Sequence, residues 1–254
     1  MPNTTPTESF WKNIHLLIVD DEQDMREIFA AWFRNLGCRV TEACDGAEAL
    51  EACSKGVFDA VISDVRMPRV DGIELAKNMQ TTYAHTPVVI FVSGFNDMLP
   101  ADAYDLGIEC LLSKPCERKR LIEALRVCLQ REREGFVKPL REGLEPTERI
   151  ERDFANSLEG AGAAIGRGGI SLPSTTDLGG DTVASFSLKF SAGDLSMLRG
   201  TGIVRWSEYQ GGLFRLGIEF NSIAADSAED LRRYLEEHKP AQFIPKGVAA
   251  AHSA

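Results

Sequence analysis

Phe58-Asp59-Ala60-Val61-Ile62-Ser63-Asp64-Val65-Arg66-Met67-Pro68-Arg69-Val70-Asp71-Gly72 is the stretch from which the first half of the chain can be read. The apolar run Ala60 to Ile62 has the length and character of a buried strand. It stops at a carboxylate and then at Met-Pro-x-x-Asp-Gly, a turn that opens a helix. Asp64 is therefore expected at the carboxyl end of a strand. In an open parallel sheet the crevice outside those ends is where ligands bind, so a charged side chain there stays solvated and reactive. A strand-ending Asp before a turn can also be turn chemistry and nothing more.

Working outward, three other apolar runs end in chemistry. Ile14 to Val19 runs into Asp20-Asp21, Val88 to Val92 into Ser93-Gly94, and Glu109 to Ser113 into Lys114-Pro115. Carboxylates, a hydroxyl and an ammonium are thus expected on one rim. Between the runs lie helical patterns. Asp24 to Leu36 spaces Met25, Ile28, Phe29, Trp32, Phe33 and Leu36 as a core-facing stripe and stops at Gly37. Cys38 to Cys44 reads as a strand, Asp45 to Lys55 as a helix capped by Asp45, Gly72 to Tyr83 as a helix, and Asn96 to Leu106 as a helix with a late start at Pro100. Cys116 to Arg133 closes the series, with Leu121, Ile122, Leu125, Cys128 and Leu129 facing inward. Alternating strand and helix predicts a doubly wound, five-stranded parallel α/β sheet.

This set of strand ends, in this order, resembles the receiver domain of two-component response regulators, over about residues 14 to 130. The resemblance implies a flavodoxin-like fold in which Asp64 accepts a phosphoryl group from a histidine kinase or phosphotransfer protein. It also implies that Asp20, Asp21, Asp64 and the backbone carbonyl of Arg66 hold Mg²⁺, that Ser93 and Lys114 contact the phosphoryl oxygens, and that Lys114-Pro115 is cis. A hard cation suits clustered carboxylates and offsets their repulsion toward a phosphoryl donor. Two departures stand out: Leu111 replaces the aromatic usual three residues before the lysine, and Cys116 replaces a common Phe. The bulky Arg66 and Phe95, two residues after Asp64 and Ser93, are expected to slow hydrolysis.

After Gly135, Pro139, Gly143 and Pro146, which mark residues 133–147 as a linker, the pattern changes. Alternation in Thr182 to Phe190 and Leu213 to Phe220, with Leu198 to Trp206 between them and glycine pairs at the turns, predicts a small antiparallel β-barrel. Ser227 to Glu237 reads as a terminal helix with a Ser227/Asp230 capping-box start. Gly166 to Leu172, Gly202 to Trp206 and Leu216 to Phe220 resemble the PilZ domain, a six-stranded barrel that often binds cyclic diguanylate (cyclic di-GMP). Ala164 and Gly166 stand where that family's ligand motif needs an acid or amide and a serine. The expected role is therefore a protein-interaction output. The competing expectation is a weak cyclic di-GMP site of Arg149, Arg152 and Arg167.

The expected organisation is a disordered lead-in (1–13), the receiver domain (14–132), the linker (133–147), the PilZ-like domain (148–238) and a disordered tail (239–254). With 44% hydrophobic and 26% charged residues the composition is that of a globular protein, and a net charge of -10 argues against a general nucleic-acid grip. Six cysteines lack metal-ligand spacing and read as free thiols. No run reaches the roughly 20 apolar residues of a membrane span, and no signal peptide is evident. These features, with no helix-turn-helix, nucleophile elbow or metal cluster after residue 147, predict a cytoplasmic, non-enzymatic regulator that does not bind DNA. A partner protein or a homodimer would carry the output.

Overall fold

The computed structural model describes residues 10–82, 86–94, 96–134, 136 and 138–246, without the side chains of 82 and 131–134. Strands β1 (His15–Val19), β2 (Arg39–Ala43), β3 (Ala60–Ser63), β4 (Val88–Ser93) and β5 (Cys110–Ser113) alternate with helices α1 (Gln23–Arg34), α2 (Gly46–Lys55), α3 (Gly72–Thr82), α4 (Pro100–Asp105) and α5 (Arg118–Glu134). The strands form one parallel sheet in the order β2-β1-β3-β4-β5. Crossover helices force parallel pairing, and strands covered on both faces must be apolar throughout. The burial of every residue of β3 and β4 meets that demand.

Two compact units divide the chain, and the division is not sequential. The first is built from residues 1–99 and 108–129, the second from 100–107 and 130–254.

In the first unit Phe29 and Phe33 of α1 and Leu121, Leu125 and Leu129 of α5 are fully buried in one cluster with Leu16, Ile18, Ile62 and Ile90 of the sheet. Each such side chain contributes roughly 1.5–3 kcal/mol. The stripe of α1 is narrower than its spacing predicts, for Ile28 is 44% exposed while Ala30 is buried. Gly37 ends the helix region at φ +97°, a conformation glycine adopts without a Cβ clash. Asp45 caps α2 by accepting from the backbone of Ala47 (2.9 Å) and Glu48 (3.0 Å), and Glu48 reaches back to the Cys44 amide at 3.0 Å. The lead-in expectation is corrected for residues 10–13: Trp11 is 3% exposed and packs on Phe33. Residues 1–9 of that expectation lie outside the described residues.

The second unit carries β6 (Glu148–Phe154), β7 (Ala164–Ile165), β8 (Gly169–Ser174), β9 (Val183–Phe190), β10 (Met197–Gln210), β11 (Leu213–Ile223) and helix α6 (Ala225–His238). Its six-stranded sheet has the order β6-β9-β10-β11-β8-β7. The sheet is mixed rather than antiparallel, because β6 enters parallel to β9. Helix α6 begins two residues before the expected start. Ser227 is fully buried and accepts from the Arg199 amide (3.1 Å), while Asp230 pairs with Arg233, so the expected capping box does not form.

The linker is docked. Phe136 meets Phe220 edge-on at 5.3 Å, Leu140 is buried, and the Asn221 side chain brackets the Arg141 backbone from both sides (2.9 and 3.4 Å). A disordered tail from Lys239 is also corrected as far as Lys246: Phe243 and Ile244 are 1% and 0% exposed, in a cluster with Ala101, Tyr104 and Trp206. Residues 247–254 lie outside the described residues. Glycines build the tail's seat, for a Cβ on Gly168 would enter the Phe243 ring, and the amides of Arg167 and Gly168 donate to the carbonyls of Gln242 (2.9 Å) and Phe243 (3.0 Å).

Candidate functional site at the rim of the parallel sheet

The rim is levelled by backbone bonds that continue the strand ladder past its last side chains. The Asp64 amide donates to the Val19 carbonyl (2.9 Å), Asp20 to Ala43 (3.3 Å) and Lys114 to Ser93 (2.7 Å). Asp20, Asp64, Ser93 and Lys114 thereby leave four strands at one height. After Asp64 the chain must turn at once into α3. The Gly72 amide closes that turn on the Val65 carbonyl at 3.0 Å, and any Cβ on Gly72 would collide with the Asp64 carbonyl oxygen.

The side chains converge. Lys114 Nζ donates to Asp64 Oδ2 at 2.5 Å and to Asp20 Oδ2 at 3.0 Å, with Glu22 Oε1 at 3.5 Å. Ser93 Oγ lies 3.3 Å from Asp64 Oδ1. That same oxygen accepts from the amides of Val65 (2.5 Å) and Arg66 (3.2 Å). Asp20 and Asp64 are 1% and 7% exposed, whereas Asp21 is open to solvent. The three carboxylates have ligand oxygens within 4.8 Å of one another, a set able to hold a divalent cation.

Burial raises the Asp20 carboxyl above its usual value, the Lys114 ammonium acting against it. For Lys114, burial opposes the charge, but the hydrogen bonds to Asp64 and Asp20 outweigh it and raise its pKa. More negative than positive charge is packed here, which is poor for stability and good for capturing a cation. The Lys114-Pro115 peptide is cis.

Asp97 escaped the sequence reading. Ser93 Oγ lies 2.7 Å from Asp97 Oδ2, and Arg66 Nε lies 3.6 Å from Asp97 Oδ1. A polar residue four positions after a strand-ending hydroxyl was the available signal, but turns are full of such residues. Leu111 sits in β5 opposite Phe91. Phe95 lies outside the described residues.

The arginines of the second unit do not gather in the same way. Arg149 and Arg152 stand on β6 at one end of the strand order, where Arg149 binds Glu151 at 2.5 Å and Arg152 donates to the Glu151 carbonyl. Arg167 lies between β7 and β8 at the other end. Its guanidinium donates to the carbonyls of Gly107 (2.8 Å) and Ala241 (3.3 Å). All six cysteines are free thiols. Among the described residues no helix is long and apolar enough to cross a membrane.

Residues 16–126 match the family model described as the response regulator receiver domain. The chain is 33% identical over 150 residues to the Regulator of RpoS of Escherichia coli (strain K12), which covers 59% of this chain and 43% of that protein. It is 30% identical over 118 residues to the Response regulator MprA of Mycobacterium sp. (strain KMS), covering 46% and 51%. The matched part thus spans about half the length of these curated relatives. Among solved structures, the chemotaxis response regulator CheY4 of Vibrio cholerae is 30% identical and covers 45% of this chain and 98% of that one, with a TM-score of 0.40. The rim of carboxylates, hydroxyl and ammonium on a β2-β1-β3-β4-β5 sheet, together with the family match, makes residues 16–126 a response regulator receiver domain.

Proposed function

We propose that the chain is a two-component response regulator in which Asp64 accepts a phosphoryl group from a histidine kinase or phosphotransfer protein. The observation that carries this reading is the convergence of Asp20, Asp21, Ser93 and Lys114 on the one carboxylate held by two backbone amides. An Asp64 oxygen attacks phosphorus, the phosphorus–nitrogen bond of the donor breaks, and the departing imidazole takes up a proton. Mg²⁺ held by Asp20, Asp21, Asp64 and the Arg66 carbonyl would supply charge that offsets repulsion between donor and site. The amides of Val65 and Arg66 hold the attacking carboxylate in place. Lys114 is a point charge for a phosphoryl oxygen, and Ser93 supplies a hydroxyl donor. The chain is a phospho-accepting regulator acting in the cytoplasm and not an output enzyme. Arg66 and Phe95 slow loss of the phosphoryl group.

The test is incubation with acetyl phosphate and Mg²⁺, read by intact mass and by size. Wild type should gain one phosphoryl group and Asp64→Asn none; modification of Asp64→Asn to the wild-type extent would overturn the assignment. Size in the same samples reports whether a homodimer forms.

The six-stranded sheet closed by α6 supports a PilZ-like output that contacts a partner protein rather than DNA. Cyclic di-GMP binding has little support. Ala164 and Gly166 offer no side-chain hydrogen bonds, and Arg167 is engaged by carbonyl oxygens of its own chain. Calorimetry with the nucleotide should show no binding; micromolar affinity abolished by Arg149→Ala and Arg152→Ala would reverse this part of the reading.

A further inference from the structure

We infer that Asp97 is the residue through which this chain reads the state of Asp64, and that the signal reaches the clasped C-terminal segment Gln242–Lys246 through helix α4. The inference rests on Asp64 being the phosphoacceptor.

The Ser93 hydroxyl has one proton and two carboxylate acceptors, Asp97 Oδ2 at 2.7 Å and Asp64 Oδ1 at 3.3 Å. In the unmodified protein the shorter bond is to Asp97, whose other oxygen faces Arg66. Phosphorylation changes both terms. A phosphoryl group on Asp64 is a stronger acceptor for the Ser93 proton, so Asp97 loses its donor. It also brings close to two negative charges toward a carboxylate that one hydroxyl now separates from Asp64, and like charges at that range repel. Asp97 is driven outward. This readout needs no aromatic in β5, where the chain has Leu111.

Pro100, the first residue of α4, follows Asp97 by three residues, so displacing Asp97 pulls on the first turn of a helix only six residues long. A helix that short has little more than one turn of its own to resist the pull. Its end is held by the tail: the Tyr104 carbonyl accepts from the amides of Phe243 (2.9 Å) and Ile244 (3.3 Å), and the Asp105 carboxylate accepts from the Lys246 amide (3.0 Å). Lys246 Nζ pairs with Asp102 at 2.6 Å, and Arg167 caps the Gly107 carbonyl at 2.8 Å. Phe243 and Ile244 bury their side chains with Ala101 and Tyr104 of the same helix. A six-residue helix and a five-residue strap so joined form one cooperative piece, and shifting either loosens the other. Release uncovers Phe243 and Ile244 and the Gly168 and Trp206 surface they cover.

The experiment follows hydrogen exchange of peptides spanning 242–246 in the full chain, before and after acetyl phosphate with Mg²⁺, with intact mass giving the phosphorylated fraction. Normalised to that fraction, wild-type exchange should rise about tenfold, a coupling of ordinary size. Asp97→Asn, which keeps an acceptor for Ser93 but removes the repelling charge, should respond less than about twofold on the same scale. Phe243→Ala should exchange quickly in both states, showing that the reporter senses the clasp. Phosphorylated wild type with unchanged exchange, or Asp97→Asn responding as wild type does, would overturn the inference while leaving the phosphoacceptor reading intact. Absence of any phosphoryl gain in wild type would remove both.

Discussion

Each unit of this molecule buries carboxylates beside cations, and the two clusters are built to opposite ends. In the second unit Glu219, 3% exposed, sits between two guanidinium groups: Arg205 donates to it at 2.5 Å and Arg141 at 3.3 Å, while Arg205 also holds Asp181 at 2.8 Å. Its charges balance and its donors are planar forks, the arrangement best suited to a buried pair. It joins the linker to β10 and β11. At the rim of the first unit Asp20, Asp64 and Glu22 share one flexible lysine, and the exposed Asp21 adds a further carboxylate beside them. A balanced cluster is a staple; an unbalanced one is suited to attracting a cation, and that separates a structural from a functional use of the same residue types.

The comparison breaks most visibly at Glu219. Glu219→Gln should cost about 3–5 kcal/mol in denaturant unfolding, since it removes the buried negative charge that the Arg141 and Arg205 guanidinium groups share. Asp64 phosphorylation, measured on the folded fraction, should persist. At the rim Lys114→Ala should cost about 2 kcal/mol, because Asp20 and Asp64 then face each other unopposed. The pH dependence has a definite sign. The Lys114 pKa is raised in the folded state, so its contribution is fully present below the ordinary lysine value of 10.5 and is lost as pH climbs through the folded value. Alkaline melts of wild type and Lys114→Ala should converge.

Asp20→Asn should act the other way, stabilising the metal-free protein by about 1 kcal/mol at neutral pH, since it removes a carboxylate that burial disfavours. The Asp20 pKa is raised, so the folded form binds the extra proton between the ordinary aspartate value of 3.8 and its own higher value. The wild-type deficit relative to Asp20→Asn should therefore shrink as pH falls through that window. The same substitution should abolish any rise in melting temperature on adding Mg²⁺. Smallest of all, Arg149→Ala removes an exposed pair with Glu151 and should move stability by less than about 0.5 kcal/mol. A larger loss would mean that β6 depends on its surface charges.

Most of the first unit was legible because its signals are local. A buried run that ends in Asp, Ser or Lys declares both a strand and the rim it points to, and Asp45 before a helical pattern declares a cap. Asp97 was hidden since its role depends on the Ser93 rotamer, which no spacing encodes. The second unit was read less well for the same reason on a larger scale. The β9, β10 and β11 runs alternate and were visible, but the parallel entry of β6 joins residues more than thirty apart. The buried Phe243 and Ile244 lie in a short stretch that looks like an ordinary polar tail.

By itself, the sequence determined the order of strands and helices in the first unit and the residues its strand ends present, because periodicity and turn chemistry act over a few neighbours. Tertiary structure alone decided that Ser93 bridges Asp64 and Asp97, that Arg141, Arg205 and Glu219 make one staple, and that Gln242 to Lys246 close over α4. Each of these joins side chains or backbone groups whose approach is set by how whole elements pack, and the free energy of that packing is carried by no single stretch of the chain.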